Sequence, residues 1–189
     1  MLKKLLPAVI ILFVVFISIS VMILPTLFTK GVSQVKLNKE LTLPLVLEGT
    51  QDVELIFFGY AGCIDVCTPR LESLALFYKE FPISLQKRVN VLFFDISKPL
   101  DHTLPQRFSE SFYKGFKGVY LKESIIRDYT KAFGVYFSPS LSDSTEFDHT
   151  SNLYIVKRTD SKKVLRFVYS AYPYDYEQIR TDIKELIND

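Results

Sequence analysis

Two stretches of this 189-residue chain, Val53–Tyr60 (VELIFFGY) and Val89–Ser97 (VNVLFFDIS), are nearly unbroken in apolar and aromatic residues. A strand with one wet face alternates apolar with polar. A continuous run of this length marks a strand covered on both faces, as in parallel sheets flanked by helices. The segment between them reads as a helix. Thr68 and Pro69 give a start signal, a capping hydroxyl followed by proline at the first helical position. Leu71, Leu74, Ala75, Tyr78 and Phe81 follow at helical spacing, and Pro82 stops the run.

Downstream, a proline-punctuated stretch (KPLDHTLP) precedes a short helix predicted around residues 106–113. ESIIRDYTKAF places Ile125, Ile126, Tyr129, Ala132 and Phe133 on one helical face, and Gly134 ends it. VYF and the loop SPSLSDSTEFDHT lead into the strand SNLYIVKR. A turn at residues 159–162 returns the chain as VLRFVYS, so the two strands read as an antiparallel hairpin. Residues 174–187 form a final amphipathic helix carrying Tyr176, Ile179, Ile183 and Leu186. The order predicts an α/β fold: a mixed sheet with helices on both faces and an antiparallel pair at one end. A thioredoxin-like layout fits, with chemistry expected at the carboxyl end of the central strands.

The front of the chain is different. Leu5–Phe28 carries no charge and is long enough to cross a hydrocarbon core of about 30 Å. Lys3 and Lys4 precede it, which favours a cytoplasmic N-terminus, although Lys30, Lys36 and Lys39 follow. A cleaved signal peptide is the rival reading. The run exceeds the usual apolar core of such a peptide, and no small-residue cleavage site follows. The expected organisation is a cytoplasmic N-terminus and membrane anchor over residues 1–29, a tether and first strand over 30–50 (the strand at LTLPLVLEG), and one domain over 51–189. Setting aside Lys3 and Lys4 leaves 21 of the 23 basic residues against 21 acidic ones. The outer domain is formally neutral and has no basic stripe for nucleic acid.

The only two cysteines, Cys63 and Cys67, lie between the first buried strand and the helix that follows it. Three readings compete. A structural disulfide would close a loop too short to restrain the unfolded chain much, and four-residue spacing does not by itself satisfy disulfide geometry. A redox couple is helped by the nearby helix start, which favours thiolate. Against it, the spacing is one residue longer than the usual C-x-x-C, and Asp65 opposes a second negative charge. For a metal, the outer domain offers Cys63 and Cys67 as its only soft ligands and His102 and His149 as its only imidazoles; both methionines, Met1 and Met22, lie upstream. Copper(I) accepts thiolates and three-fold coordination, whereas zinc would call on both histidines. By the residues alone His149 is equally an ordinary loop histidine, and His102 reads as a solvent-exposed one.

With these residues in hand, the chain resembles the SCO/SenC family, membrane-tethered thioredoxin-fold proteins involved in copper delivery to cytochrome c oxidase. FFGYAGCIDVC is similar to the family's G-[YF]-x-x-C-x-D-x-C segment, with Gly59, Tyr60, Cys63, Asp65 and Cys67 matching. FDISKPLDHT resembles its V-D-P-x-x-D-T stretch at Asp95, and AFGVYFSPS and DHTSNLYIV resemble two later landmarks. Ile64 and Thr68 stand where prolines are usual, proline is displaced to Pro69, and Lys98 and Pro99 alter the segment after Asp95. The resemblance implies Cys63, Cys67 and His149 as ligands for Cu(I), with Cu(II) left open. The thiols are expected to be redox-active if any catalytic role exists, and Asp65 and Asp148 read either as supporting or docking groups or, equally, as solvated loop acids that favour turns.

The expected partners are copper, a cytochrome c oxidase subunit or other copper-acceptor protein, a thiol-disulfide reductant and the membrane, with no nucleic acid. The expected location is the bacterial inner membrane with the domain in the periplasm, or the mitochondrial inner membrane facing the intermembrane space. Two rivals use the same sulfurs. One is a thiol-disulfide reductase that maintains an acceptor's cysteines. The other is a peroxidase-like enzyme, disfavoured because Tyr60 occupies the position of the expected threonine and no arginine was expected beside the loop.

Overall fold

The computed structural model describes residues 13–18, 34–43, 51–97, 99–140, 147–159 and 162–189. The chain divides into two compact units, Met1–Ser33 and Gln34–Asp189. In the first, residues 13–18 are helical (α1). Among the described residues no helix is long and apolar enough to cross a membrane. The span expected over Leu5–Phe28 falls largely outside them.

The second unit is built on a six-stranded sheet in the order β1-β8-β7-β2-β3-β4. Its strands are β1 (Gln34–Glu40), β2 (Val53–Gly59), β3 (Val89–Asp95), β4 (Lys117–Tyr120), β7 (Leu153–Arg158) and β8 (Lys163–Tyr169). Strands β5 (Phe137–Pro139) and β6 (Phe147–His149) form a separate two-stranded sheet. The helices are α2 (Cys67–Lys79), α3 (Ile83–Gln86), α4 (Leu104–Phe112), α5 (Glu123–Phe133) and α6 (Tyr176–Asn188). β2, β3 and β4 run parallel, β7 and β8 form the antiparallel pair, and β1 closes the far edge against β8.

The two apolar runs are the sheet's centre, and every residue of β2 and β3 is buried. Their alternation sorts the core into two layers. Val53 and Leu55 pack with Leu74, Phe77 and Tyr78 of α2 and with Ile179, Ile183 and Leu186 of α6. Ile56 and Phe58 face Ile126, Tyr129 and Phe133 of α5 across the sheet. Glu54 is a charge within this apolar strand, 1% exposed; Arg158 reaches its carboxylate at 3.0 Å and Lys163 at 3.5 Å. A buried carboxylate persists when paired in this way.

Among the described residues of the 30–50 segment the strand is Gln34–Glu40, upstream of the expected LTLPLVLEG, most of which lies outside the described residues. It is a charged edge strand, held by main-chain pairing and by Lys36–Glu185 and Lys162–Glu40 ion pairs at 3.0 Å, so it carries little hydrophobic pattern. β4 is also unannounced by the sequence. Its Gly118 allows α4 to press onto the strand; a Cβ there would stand 1.9 Å from the Pro105 carbonyl oxygen. The last helix starts at Tyr176 rather than 174, because Asp175 caps it by accepting the Gln178 amide at 3.0 Å. Tyr174 stays in the loop, and its hydroxyl donates to the Ser151 carbonyl at 2.9 Å.

Candidate metal centre

β2 and β3 end level with each other, Gly59 opposite Asp95, so their two loops emerge at one sheet edge. The buried Asp95 carboxylate ties those loops together. One oxygen accepts the Ala61 amide at 2.9 Å; the other accepts the Ser97 amide at 2.7 Å and its hydroxyl at 2.6 Å. The Ile96 amide donates to the Gly59 carbonyl at 2.8 Å. The cysteine loop is thus fastened to the neighbouring strand before its thiols appear.

The loop turns on a bond from the Cys63 amide to the Tyr60 carbonyl, and α2 begins at Cys67 itself. The start signal expected at Thr68 is corrected here: Val66 is the N-cap and makes no side-chain capping bond. Thr68 instead sends its amide (3.2 Å) and its hydroxyl (2.8 Å) back to the Cys63 carbonyl. The Cys67 amide points at the Cys63 sulfur, 3.3 Å away, and the third helical residue, Pro69, has no N–H. Cys63 therefore satisfies the exposed donors of the first turn, the role usually given to a polar cap.

Both thiols are free and buried, against a floor of Phe57, Phe93 and Leu71. Their acidities are driven apart. A hydrogen bond from the Cys67 thiol, aided by His149 and by the Cys67 and Val66 amides, overcomes burial and lowers the Cys63 pKa to about 3. The same bond to Cys63, together with burial, pushes the Cys67 thiol far up. Both shifts act in one direction, making Cys63, at the positive end of α2, the more acidic sulfur and Cys67 the one that retains its proton longer.

His149 arrives from the small sheet. β6 pairs with β5 so that His149 stands opposite Phe137 and Phe147 opposite Pro139. The imidazole Nδ1 lies 3.1 Å from the Thr150 carbonyl. When Nδ1 carries the ring's proton that carbonyl accepts it and Nε2 presents a lone pair; when Nε2 carries it the imidazole donates toward the thiols. Nε2 points at the Cys67 sulfur, 3.6 Å away. The coordinating atoms of Cys63, Cys67 and His149 all lie within 4.8 Å of one another.

These distances fit a metal ion. With metal–sulfur and metal–nitrogen bonds of about 2.3 and 2.0 Å, a trigonal site sets sulfur and nitrogen about 3.7 Å apart. The donor set is soft, and among the described residues no other cluster of three such groups occurs. His102 does not join it; its ring stacks on Tyr120 with centroids 3.8 Å apart. Asp65 and Asp148 are exposed and make no ion pair among the described residues. One expectation needs correction: an arginine does adjoin the loop. Arg70 lowers the Cys67 pKa slightly, but its guanidinium is engaged by the Val66 carbonyl at 3.1 Å and by the Tyr172 ring at 4.5 Å.

Sequence reasoning missed Phe147, which shares a face with His149; two-residue alternation in FDH was the available signal. It also missed Tyr174, whose bond to Ser151 fixes the link between His149 and β7; nothing local points to that contact.

A family model described as SCO1/SenC matches residues 48–188. The solution structure of apo Sco1 from Thermus thermophilus is 26% identical, with a TM-score of 0.61, covering 84% of this chain and 95% of its own. Yeast Sco1 with copper bound is 18% identical (TM-score 0.60; 82% and 90% covered). BsSco, described as a member of the Sco family of cytochrome c oxidase assembly proteins and as having a disulfide switch, is also 18% identical (TM-score 0.57; 80% and 95% covered). At those lower identities the likeness establishes a shared fold. No match was found among curated protein sequences.

Proposed function

The chain belongs to the SCO1/SenC family, and on that premise we propose that it is a membrane-tethered copper carrier that delivers the metal to a respiratory oxidase copper centre. Cys63 and Cys67 supply two thiolates to Cu(I), and His149 supplies the third donor. One observation carries this reading: His149 Nε2 stands 3.6 Å from the Cys67 sulfur, with all three donors within 4.8 Å. The copper-bound yeast relative and the oxidase-assembly role stated for BsSco support it.

Loading is gated by the thiols. Oxidation of one thiolate and one thiol forms one S–S bond, passes two electrons to an external oxidant and releases the thiol's proton, removing two donors together. A thiol-disulfide reductant restores them. The residue 1–29 anchor holds the domain on the outer side of the bacterial inner membrane, or in the intermembrane space of a mitochondrion. There it raises the carrier's effective concentration near a membrane-bound acceptor.

A second reading, a thiol-disulfide reductase acting on the acceptor's cysteines, draws on the Cys63 thiolate, which is the form that attacks disulfides. Titrating the reduced full chain with Cu(I) separates the two. The carrier binds one copper per chain and loses much of its affinity in His149→Ala. The reductase exchanges thiols with a partner at a rate indifferent to that substitution.

A further inference from the structure

The geometry points to Tyr60 as the positioning residue that holds His149 over the two sulfurs. This inference rests on the copper-carrier reading and concerns how the third donor is kept in place. His149 sits on a two-stranded sheet that is separate from the main one, with β5 and β6 paired over three residues and tied at the next position by the Thr150 amide donating to the Tyr136 carbonyl at 2.9 Å. Its main-chain path to β7 is pinned behind it, at Ser151, by Tyr174. Within the small sheet the ring has the Thr150 carbonyl at Nδ1, which holds its rear edge but does not tie it to the cysteine loop.

Tyr60 does. It follows Gly59 directly, and its carbonyl accepts the Cys63 amide at 3.2 Å, so its backbone belongs to the thiol loop. Its ring meets the other sheet at two places. It lies edge-to-face with the His149 imidazole, centroids 6.0 Å apart and planes at 84°. It also packs against Phe147 at 5.7 Å and 59°. Both spacings fall in the favourable range for aromatic pairs. Phe147 and His149 share one face of β6, two residues apart, so a single ring braces both. Tyr60 touches the sulfur-bearing loop through its main chain and the nitrogen-bearing sheet through its ring.

The test uses the reduced full chain in detergent, Cu(I) delivered from a competing chelator, and X-ray absorption at the copper edge. Tyr60→Ala keeps the carbonyl that turns the loop. It should weaken Cu(I) binding about 10- to 100-fold, the range for losing a group that orients a metal ligand, and should shift the spectrum from three-coordinate to two-coordinate copper. Tyr60→Phe keeps the ring and should keep the bound copper three-coordinate. Phe147→Ala, which leaves the main core untouched, should weaken binding in the same direction.

The deciding measurement is the combination with His149→Ala. If Tyr60 acts through the imidazole, Tyr60→Ala adds no further loss once the imidazole is gone. An undiminished loss in the His149→Ala background would overturn the inference, because Tyr60 would then act on the sulfurs or the fold. So would a Tyr60→Ala chain that binds three-coordinate copper at wild-type strength. Failure of the carrier reading is recognisable separately: the wild-type chain itself would bind no stoichiometric Cu(I).

Discussion

A methyl group on Gly59 would stand 2.5 Å from the sulfur of Cys67. The end of β2 and the start of α2 thus meet at a point where only a hydrogen fits, and that meeting seats one of the three donors. Gly59→Ala should displace the sulfur or the helix start. Overpacking of this kind costs about 1–3 kcal/mol, so a lower urea midpoint and weaker Cu(I) binding should appear together. A variant with undiminished copper affinity would show that the contact does not set the sulfur's position.

The thiol pair should carry one negative charge well below neutrality. Thiolate absorbance near 240 nm is expected to report one thiolate per reduced chain at pH 6, fading only as the pH approaches the Cys63 value of about 3. Cys67→Ala removes the strongest stabilising bond, so the remaining thiolate should titrate at a higher pH. A signal that emerges only above pH 8 in the wild type would contradict the assignment.

With Cys63 the more acidic thiol and Cys67 the less acidic, copper binding through both sulfurs near neutral pH should expel one thiol proton per metal, that of Cys67. Affinity is then expected to rise about tenfold per pH unit between pH 7 and 8, read by chelator competition at several pH values. A hundredfold rise would mean that both thiols are protonated in the free chain.

Asp95 accepts from Ala61 on one oxygen and from Ser97 on the other. Asp95→Asn turns one of those oxygens into a donor facing a donor, a mismatch costing about 1–3 kcal/mol. The expected outcome is a lower thermal midpoint together with faster amide exchange at Ala61. Unchanged exchange there would show that the loop is held without the carboxylate.

What the sequence disclosed follows where the energy lies. β2, β3 and α5 are fixed by burial of their own side chains, so their apolar patterns announce them. β1 and β4 owe their state to neighbours, a paired edge in one case and a helix resting on Gly118 in the other, and their patterns say little. The cysteines could be recognised as a possible site from local context. The choice between His149 and His102 could not, because it depends on β5 pairing with β6 and on Tyr60; only the family resemblance pointed to it. Thr68 shows the opposite failure. A good capping residue was present, but the thiol upstream had already taken that place.

The sulfur of Cys63 has two claimants, the amide that opens α2 and whatever binds at the site. A copper-bound thiolate keeps lone pairs for that amide, whereas a disulfide takes away the sulfur's negative charge, so on oxidation the helix end loses a charge-assisted acceptor and should fray. Hydrogen exchange at residue 67 would then act as a built-in gauge of the thiols' oxidation state.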